Sequence, residues 1–148
     1  MKNCILLLAM VFLISIIGNS ASIVLVNGKE YSGECVEIRK YEELVDLSSV
    51  ETDQVDVRNI RIEDDCLIIE VVYGGGCGTV NFELISNGQI LESNPSQIQL
   101  FLKLDDQDTC KAMLSREIRF NISQFNNLKT EKGVVFKIMG TDISVVWE

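Results

Sequence analysis

A chain of 148 residues, 47% apolar and with a single proline, is the size of one domain able to bury a substantial core. Its 13 basic and 22 acidic residues leave a formal charge of -9, a balance that repels phosphate backbones and argues against a nucleic-acid partner. The absence of histidine excludes Ser-His and Cys-His catalysis and every imidazole metal site.

The chain opens with a positive Lys2, an apolar run Ile5–Ile17 and the small polar stretch Gly18-Asn19-Ser20-Ala21-Ser22. Those are the three parts of a secretory signal peptide, and the apolar run is shorter than the roughly 20 residues of a spanning helix. Residues 1–22 are therefore expected to be a removed leader, cut after Ser20 or Ser22, with 23–148 a single domain. A lipid-attachment cysteine at the junction is missing, since Cys4 precedes the apolar run and Cys35 lies far beyond it.

Beyond the leader the segments read as strands and turns. Strands are expected at Glu34–Arg39, Asp56–Glu63, Cys66–Tyr73, Thr79–Ile85, Ile98–Leu104, Ile118–Ser123, Val134–Met139 and Ile143–Trp147, all short and rich in β-branched and aromatic residues. Tyr41–Leu47 and Gln124–Leu128 are the two short helical exceptions. Asp64-Asp65 and Gly140-Thr141-Asp142 read as tight connections. Asn87-Gly88 reads as a type I′ hairpin turn pairing Asn81–Ile85 with Gln89–Leu91, because both central positions of that turn need positive φ. Cys66–Tyr73 is apolar on both faces apart from Glu70, which suits a central strand.

Several stretches invite a chemical reading. Gly74-Gly75-Gly76-Cys77-Gly78 follows a strand and could present backbone N–H groups to an anion, but a phosphate loop also needs a lysine and a hydroxyl residue opening a helix. An irregular, cysteine-pinned strand crossing is the expected role. Asp105, Asp106 and Asp108 are candidate Ca²⁺ ligands lacking the sharp-turn glycine and closing glutamate of a helix–loop–helix site; a solvated acidic turn is the simpler reading. Glu83 and Glu92 flank the Asn-Gly step and could form a glycosidase-like carboxylate pair, without any accompanying sugar platform. Asn121-Ile122-Ser123 is a glycosylation sequon, and Trp147 is read as a packing residue.

Loss of the leader leaves Cys35, Cys66, Cys77 and Cys110, an even set suited to an oxidising compartment. Four cysteines allow three pairings. Cys77–Cys110 is favoured because both flank strands in loops. Cys35 and Cys66 sit in apolar runs, where a buried free thiol is the alternative to a second bridge. A four-cysteinyl metal site is disfavoured, no two ligands being closely spaced. Together these elements predict an all-β fold: an antiparallel β-sandwich, immunoglobulin-like or related, of about seven to nine strands, with a small closed β-barrel as the alternative.

The stretch Tyr73-Gly-Gly-Gly-Cys-Gly-Thr-Val-Asn-Phe-Glu-Leu-Ile85 resembles a signature of small exported Bacteroidetes proteins, some of them NigD-like or lipoprotein-type and of unknown function. The similarity extends through Ser93-Asn-Pro-Ser-Gln97, Leu100–Leu104, Asp108-Thr-Cys-Lys-Ala112 and Arg119–Ser123, covering residues 66–147. It implies a β-sandwich and matches the two loop cysteines, Cys77 and Cys110. Val80 and Lys103 stand where that pattern carries histidines, so no imidazole role transfers.

The expectation is an exported protein (periplasmic, cell-surface or secreted), not an enzyme, acting as a binding or accessory module of the cell envelope. Its partner would be a protein or glycan, with no cofactor, no nucleic acid and no membrane segment once the leader is gone. A carboxylate- or Ca²⁺-dependent secreted hydrolase and a secreted protease inhibitor are the competing readings.

Overall fold

The computed structural model describes residues 25–26, 29–30, 34–40 and 46–148. The expected leader lies outside these residues, as does 41–45 of the expected helix Tyr41–Leu47. What is described of that helix is a single 3-10 turn, Leu47–Ser49, capped by the Asp46 carboxylate, which accepts from the Ser48 amide at 3.0 Å.

Eleven strands follow one another: β1 (Leu25–Val26), β2 (Lys29–Glu30), β3 (Val36–Glu37), β4 (Arg39–Lys40), β5 (Val55–Glu63), β6 (Cys66–Gly75), β7 (Val80–Leu91), β8 (Ser96–Asp106), β9 (Ala112–Asn121), β10 (Val134–Ile138) and β11 (Ser144–Trp147). Among the described residues the first two pair with each other. The other nine form two sheets, one in the order β3-β9-β6-β5 and one in the order β11-β10-β8-β7-β4. The arrangement is a sandwich and not a closed barrel. Both sheets are mixed, which corrects the purely antiparallel expectation: β3 with β9, β4 with β7 and β8 with β10 run parallel. In each of these three pairs the partners are far apart in the chain, so no hairpin turn constrains their relative direction.

Alternation along each strand makes the core. Leu67, Ile69, Val71 and Tyr73 of β6 face Phe82 and Leu84 of β7 and Ile98, Leu100, Leu102 and Leu104 of β8 in one buried cluster. Phe136 lies fully buried, with its ring 5.5 Å from Phe125 and 6.0 Å from Trp147. Trp147 is thus a packing residue, as its apolar setting suggests. Phe125 belongs to the 3-10 turn Ser123–Leu128, where the single helical turn was expected.

One expected turn is not a turn. Asn87-Gly88 lies inside β7, where Asn87, Gly88 and Gln89 oppose Gln99 alone, between the pairs Ser86↔Leu100 and Ile90↔Ile98. Gly88 has φ +74, so the Asn-Gly step supplies the positive φ of a bulge and not of a hairpin. The chain reverses at Glu92–Pro95 instead, where Ser93 Oγ donates to the Pro95 carbonyl at 2.6 Å. Asp64-Asp65 does join β5 to β6, with Asp64 at φ 53, and Gly140-Thr141-Asp142 does join β10 to β11.

β6 is apolar on both faces because its outer face is covered too. Ile68 points away from the core and is nonetheless fully buried. Arg61 of β5 and Arg119 of β9 are its neighbours in the same row. Arg61 reaches across β6 to Glu117 through two bonds of 2.7 and 2.9 Å, and Arg119 reaches back to Glu63 at 2.6 Å. These pairs hold the carboxyls of Glu63 and Glu117 below the usual range, chiefly through the arginine hydrogen bonds. Glu117→Gln is expected to lower the melting temperature only slightly at low ionic strength. A melt in about 1 M salt should erase most of the difference, because these groups are solvent-accessible.

Candidate functional site

At one end of the sandwich the β6–β7 connection (76–79) meets the β8–β9 connection (107–111), the Gln107 amide donating to the Thr79 carbonyl at 3.2 Å, and amides of both connections converge on the Asp108 carboxylate. Its Oδ2 accepts from the Gly76 amide at 2.5 Å and the Cys77 amide at 2.8 Å, while Oδ1 accepts from the Cys110 amide at 2.8 Å. The glycine stretch does form an anion cradle, and the anion it holds is the chain's own carboxylate. No lysine is needed, because the charge is covalently delivered from the facing loop. Gly78 is required for this approach: a Cβ at that position would lie 2.8 Å from the Asp108 Cα.

Backbone amides directed at the carboxylate push the Asp108 pKa down from 3.8 to about 2, the Cys110 amide contributing most, with Cys77, Gly78 and Gly76 adding to it. A carboxyl whose pKa is lower in the folded than in the unfolded chain stabilises the fold above the unfolded value. That stabilisation is lost as pH falls from about 4 to about 2. Asp108→Ala is therefore expected to melt several degrees below the parent at pH 7, and to show a flatter loss of stability on acidification. Formate, small enough to enter the vacated cradle, should recover part of the difference in the variant and do little for the parent. Equal melting of variant and parent at pH 7 would refute the clasp.

The supporting contacts extend inward. The Asp108 amide donates to Asp106 Oδ1 at 2.8 Å, and the Asp106 amide donates to Asp53 Oδ2 at 2.8 Å. Thr52 Oγ1 accepts from the Leu104 amide at 2.9 Å, so the segment leading into β5 is tied to the end of β8. A disulfide, Cys77–Cys110, closes the same end with Cα atoms 5.8 Å apart. A second, Cys35–Cys66, ties the chain entering β3 to the start of β6 at 5.9 Å. Both separations are ordinary for a disulfide. Of the three possible pairings the structure takes this one, and Cys35 and Cys66 are not free thiols.

Beside the clasp lies an open cleft of about 370 Å³, lined among others by Asp53, Asp56, Asp106, Lys111 and Met113. Met113 is 72% exposed, the most exposed large apolar side chain described. Tyr73 also lines it, although its ring is buried edge-on against Phe82 at 5.2 Å. The Tyr73 hydroxyl has no hydrogen-bond partner among the described residues, and burial raises its pKa. The Arg116 guanidinium stands 5.7 Å from the same ring.

The sequence-level candidates are placed as follows. Asp105 and Asp106 are successive residues of β8, opposite Asn81 and Val80, and so project to opposite faces. Asp108 has its oxygens turned toward backbone amides. The three aspartates are linked through backbone bonds and not by carboxylates facing a common point. Glu83, within β7, and Glu92, just past its end, do not flank a hairpin; the facing strand covers the span from Glu83 to Leu91 in six residues, so they stand roughly 20–25 Å apart, well beyond the reach of a glycosidase pair. Glu83 pairs instead with Arg39 at 3.2 Å. Asn121 of the sequon donates to Glu37 at 2.7 Å and accepts from the Ser123 amide at 2.9 Å. What sequence reasoning missed is Asp108 as the cradle's occupant. The available signal was an acidic residue two positions before the cysteine that bridges to the glycine loop.

No described protein family matches this chain, and no curated protein matches it. Among solved structures it is similar to a protein of unknown function, DUF1344, from Bacteroides vulgatus ATCC 8482, at 12% identity over 77% of this chain and 55% of that one, with a TM-score of 0.49. It is also similar to a protein designated toxin-related from Parabacteroides distasonis ATCC 8503, at 22% identity over 76% of this chain and 59% of that one, with a TM-score of 0.48. The chain spans little more than half the length of these two Bacteroidetes proteins.

Proposed function

We propose that this chain is exported and works outside the reducing cytosol as a non-enzymatic binding or accessory module of the cell envelope, engaging a protein or glycan partner. The observation that carries the reading is the pairing of all four cysteines of residues 23–148 into two disulfides, each tying together parts of the chain that are distant in sequence. Such pairs persist in oxidising compartments and are reduced in the cytosol. The signal-like leader and the resemblance of residues 66–147 to small exported Bacteroidetes proteins, some of them NigD-like, support the same placement. Among the described residues no helix is long and apolar enough to cross a membrane.

A structural role for the glycine loop supports the non-enzymatic half, since its amide donors are engaged by Asp108. The cleft around Asp53, Asp56, Asp106 and the exposed Met113 is where a partner would engage, the exposed apolar side chain giving contact area among charges that set orientation. Fractionation of the native host with N-terminal sequencing tests the placement. The expected product is envelope material beginning at Ala21 or Ile23, with no titratable thiol. Cytosolic protein retaining Met1 and free thiols would overturn it. Thermal melting with millimolar Ca²⁺ addresses the calcium-dependent rival, and no shift is expected.

A further inference from the structure

We propose that reduction of the Cys77–Cys110 disulfide converts this end of the sandwich into a binding site for a thiophilic divalent cation, Zn²⁺ above all, with Cys77, Cys110 and Asp108 as its ligands. The inference goes beyond the envelope reading and does not depend on it, because it concerns the reduced loop pair wherever the chain resides.

The two Sγ atoms and a carboxylate oxygen of Asp108 already lie within 4.8 Å of one another. A tetrahedral Zn²⁺ with Zn–S of about 2.3 Å and Zn–O of about 2.0–2.2 Å needs its ligand atoms roughly 3.5–3.8 Å apart. Once the S–S bond is gone, the sulfurs need only separate to that spacing. Gly76 and Gly78 flank Cys77 and let its backbone adjust. Asp108 is positioned in advance: Oδ2 accepts from the Gly76 and Cys77 amides, whereas Oδ1 accepts from the Cys110 amide and stands 3.0 Å from Cys77 Sγ. Oδ1 is thus the carboxylate oxygen that faces Cys77 Sγ. The Gly76, Cys77 and Cys110 amides become the outer sphere that orients this ligand. Cys77 is exposed, which leaves the fourth position to water. The other disulfide differs. Cys35 and Cys66 are partly buried, and among the described residues no third donor of this kind joins them.

The chemistry balances with a phosphine as reductant. The phosphine gives two electrons to the disulfide and is oxidised to phosphine oxide. Water supplies the oxygen and the two protons that leave both cysteines as thiols. Zn²⁺ then displaces those protons to solvent as two S–Zn bonds form.

The test uses the full chain, treated or not with a phosphine and titrated with Co²⁺ followed by Zn²⁺. Reduced protein should bind one Co²⁺ with a thiolate-to-cobalt charge-transfer band that Zn²⁺ bleaches, and untreated protein should show no band. Cys77→Ser should abolish the band after reduction. Asp108→Asn should keep it but weaken Zn²⁺ binding by at least about tenfold, the loss expected even for an outer-sphere partner. Circular dichroism of each reduced sample must retain the strand signal. Absence of the band in reduced parent, its persistence in Cys77→Ser, unchanged affinity in Asp108→Asn, or unfolding on reduction would each overturn the proposal.

Discussion

Cys77→Ser and Cys110→Ser are expected to lower stability by the same amount, about 3–4 kcal/mol, and the double variant to lose no more than either single one. The bridge closes a loop with a sequence separation of 33, and the chain-entropy model assigns a loop of that length a stabilisation of this size. A domain of this size has a total stability of roughly 5–15 kcal/mol, so the loss corresponds to a fall in melting temperature of roughly 10–15 °C. The effect acts through the unfolded chain, which regains conformations the bridge forbids. Treating the parent with a phosphine should therefore bring it down to the level of the variants or below, since Cys35–Cys66 is then also open. Additive losses in the double variant, measured by denaturant melts, would show that the two cysteines act independently.

Phe136→Ala is expected to be at least as damaging, at about 3–5 kcal/mol, for the opposite reason. Its ring is fully buried on β10, with Phe125 on one side and Trp147 on the other. Those neighbours come from the 3-10 turn after β9 and from the last strand, and neither can collapse into the space without leaving its own contacts. The loss lies in the native state, so it should persist unchanged under reducing conditions. Reduction thus separates the two mechanisms: it abolishes the difference between parent and Cys77→Ser, and it preserves the difference between parent and Phe136→Ala. A Phe136→Leu variant, which keeps apolar volume, should recover more than half of the stability.

How much of this was legible in the sequence depends on what each feature draws upon. Alternation and β-branching located β5, β6, β8, β10 and β11 to within about two residues, since those strands owe their state to one buried face. β9 was visible only from Ile118. Its first half, Ala112-Met-Leu-Ser-Arg-Glu117, has little strand propensity of its own and is held by a continuous ladder to β6, from Gly75↔Ala112 onward. The Asn-Gly step suits a turn and a bulge alike, because positive φ serves both, and only the pairing of β8 decides between them. Parallel pairings leave no local mark at all. At the site, the glycine stretch correctly announced a set of amide donors. The occupant lay more than thirty residues away in the chain, and proximity of that kind is set by the fold.

The passage from β3 to β4 carries a mechanical consequence. Val36–Glu37 is hydrogen-bonded into the four-stranded layer and Arg39–Lys40 into the five-stranded layer, with Ile38 between them at 5% exposure. One extended run is thus stitched into both halves, and the halves cannot slide past each other without tearing a rung from one of them. A pulling force applied across the layers would meet this short seam early, in shear, so that resistance to force would depend on a few backbone bonds at one edge of each sheet as well as on the extent of the buried interior.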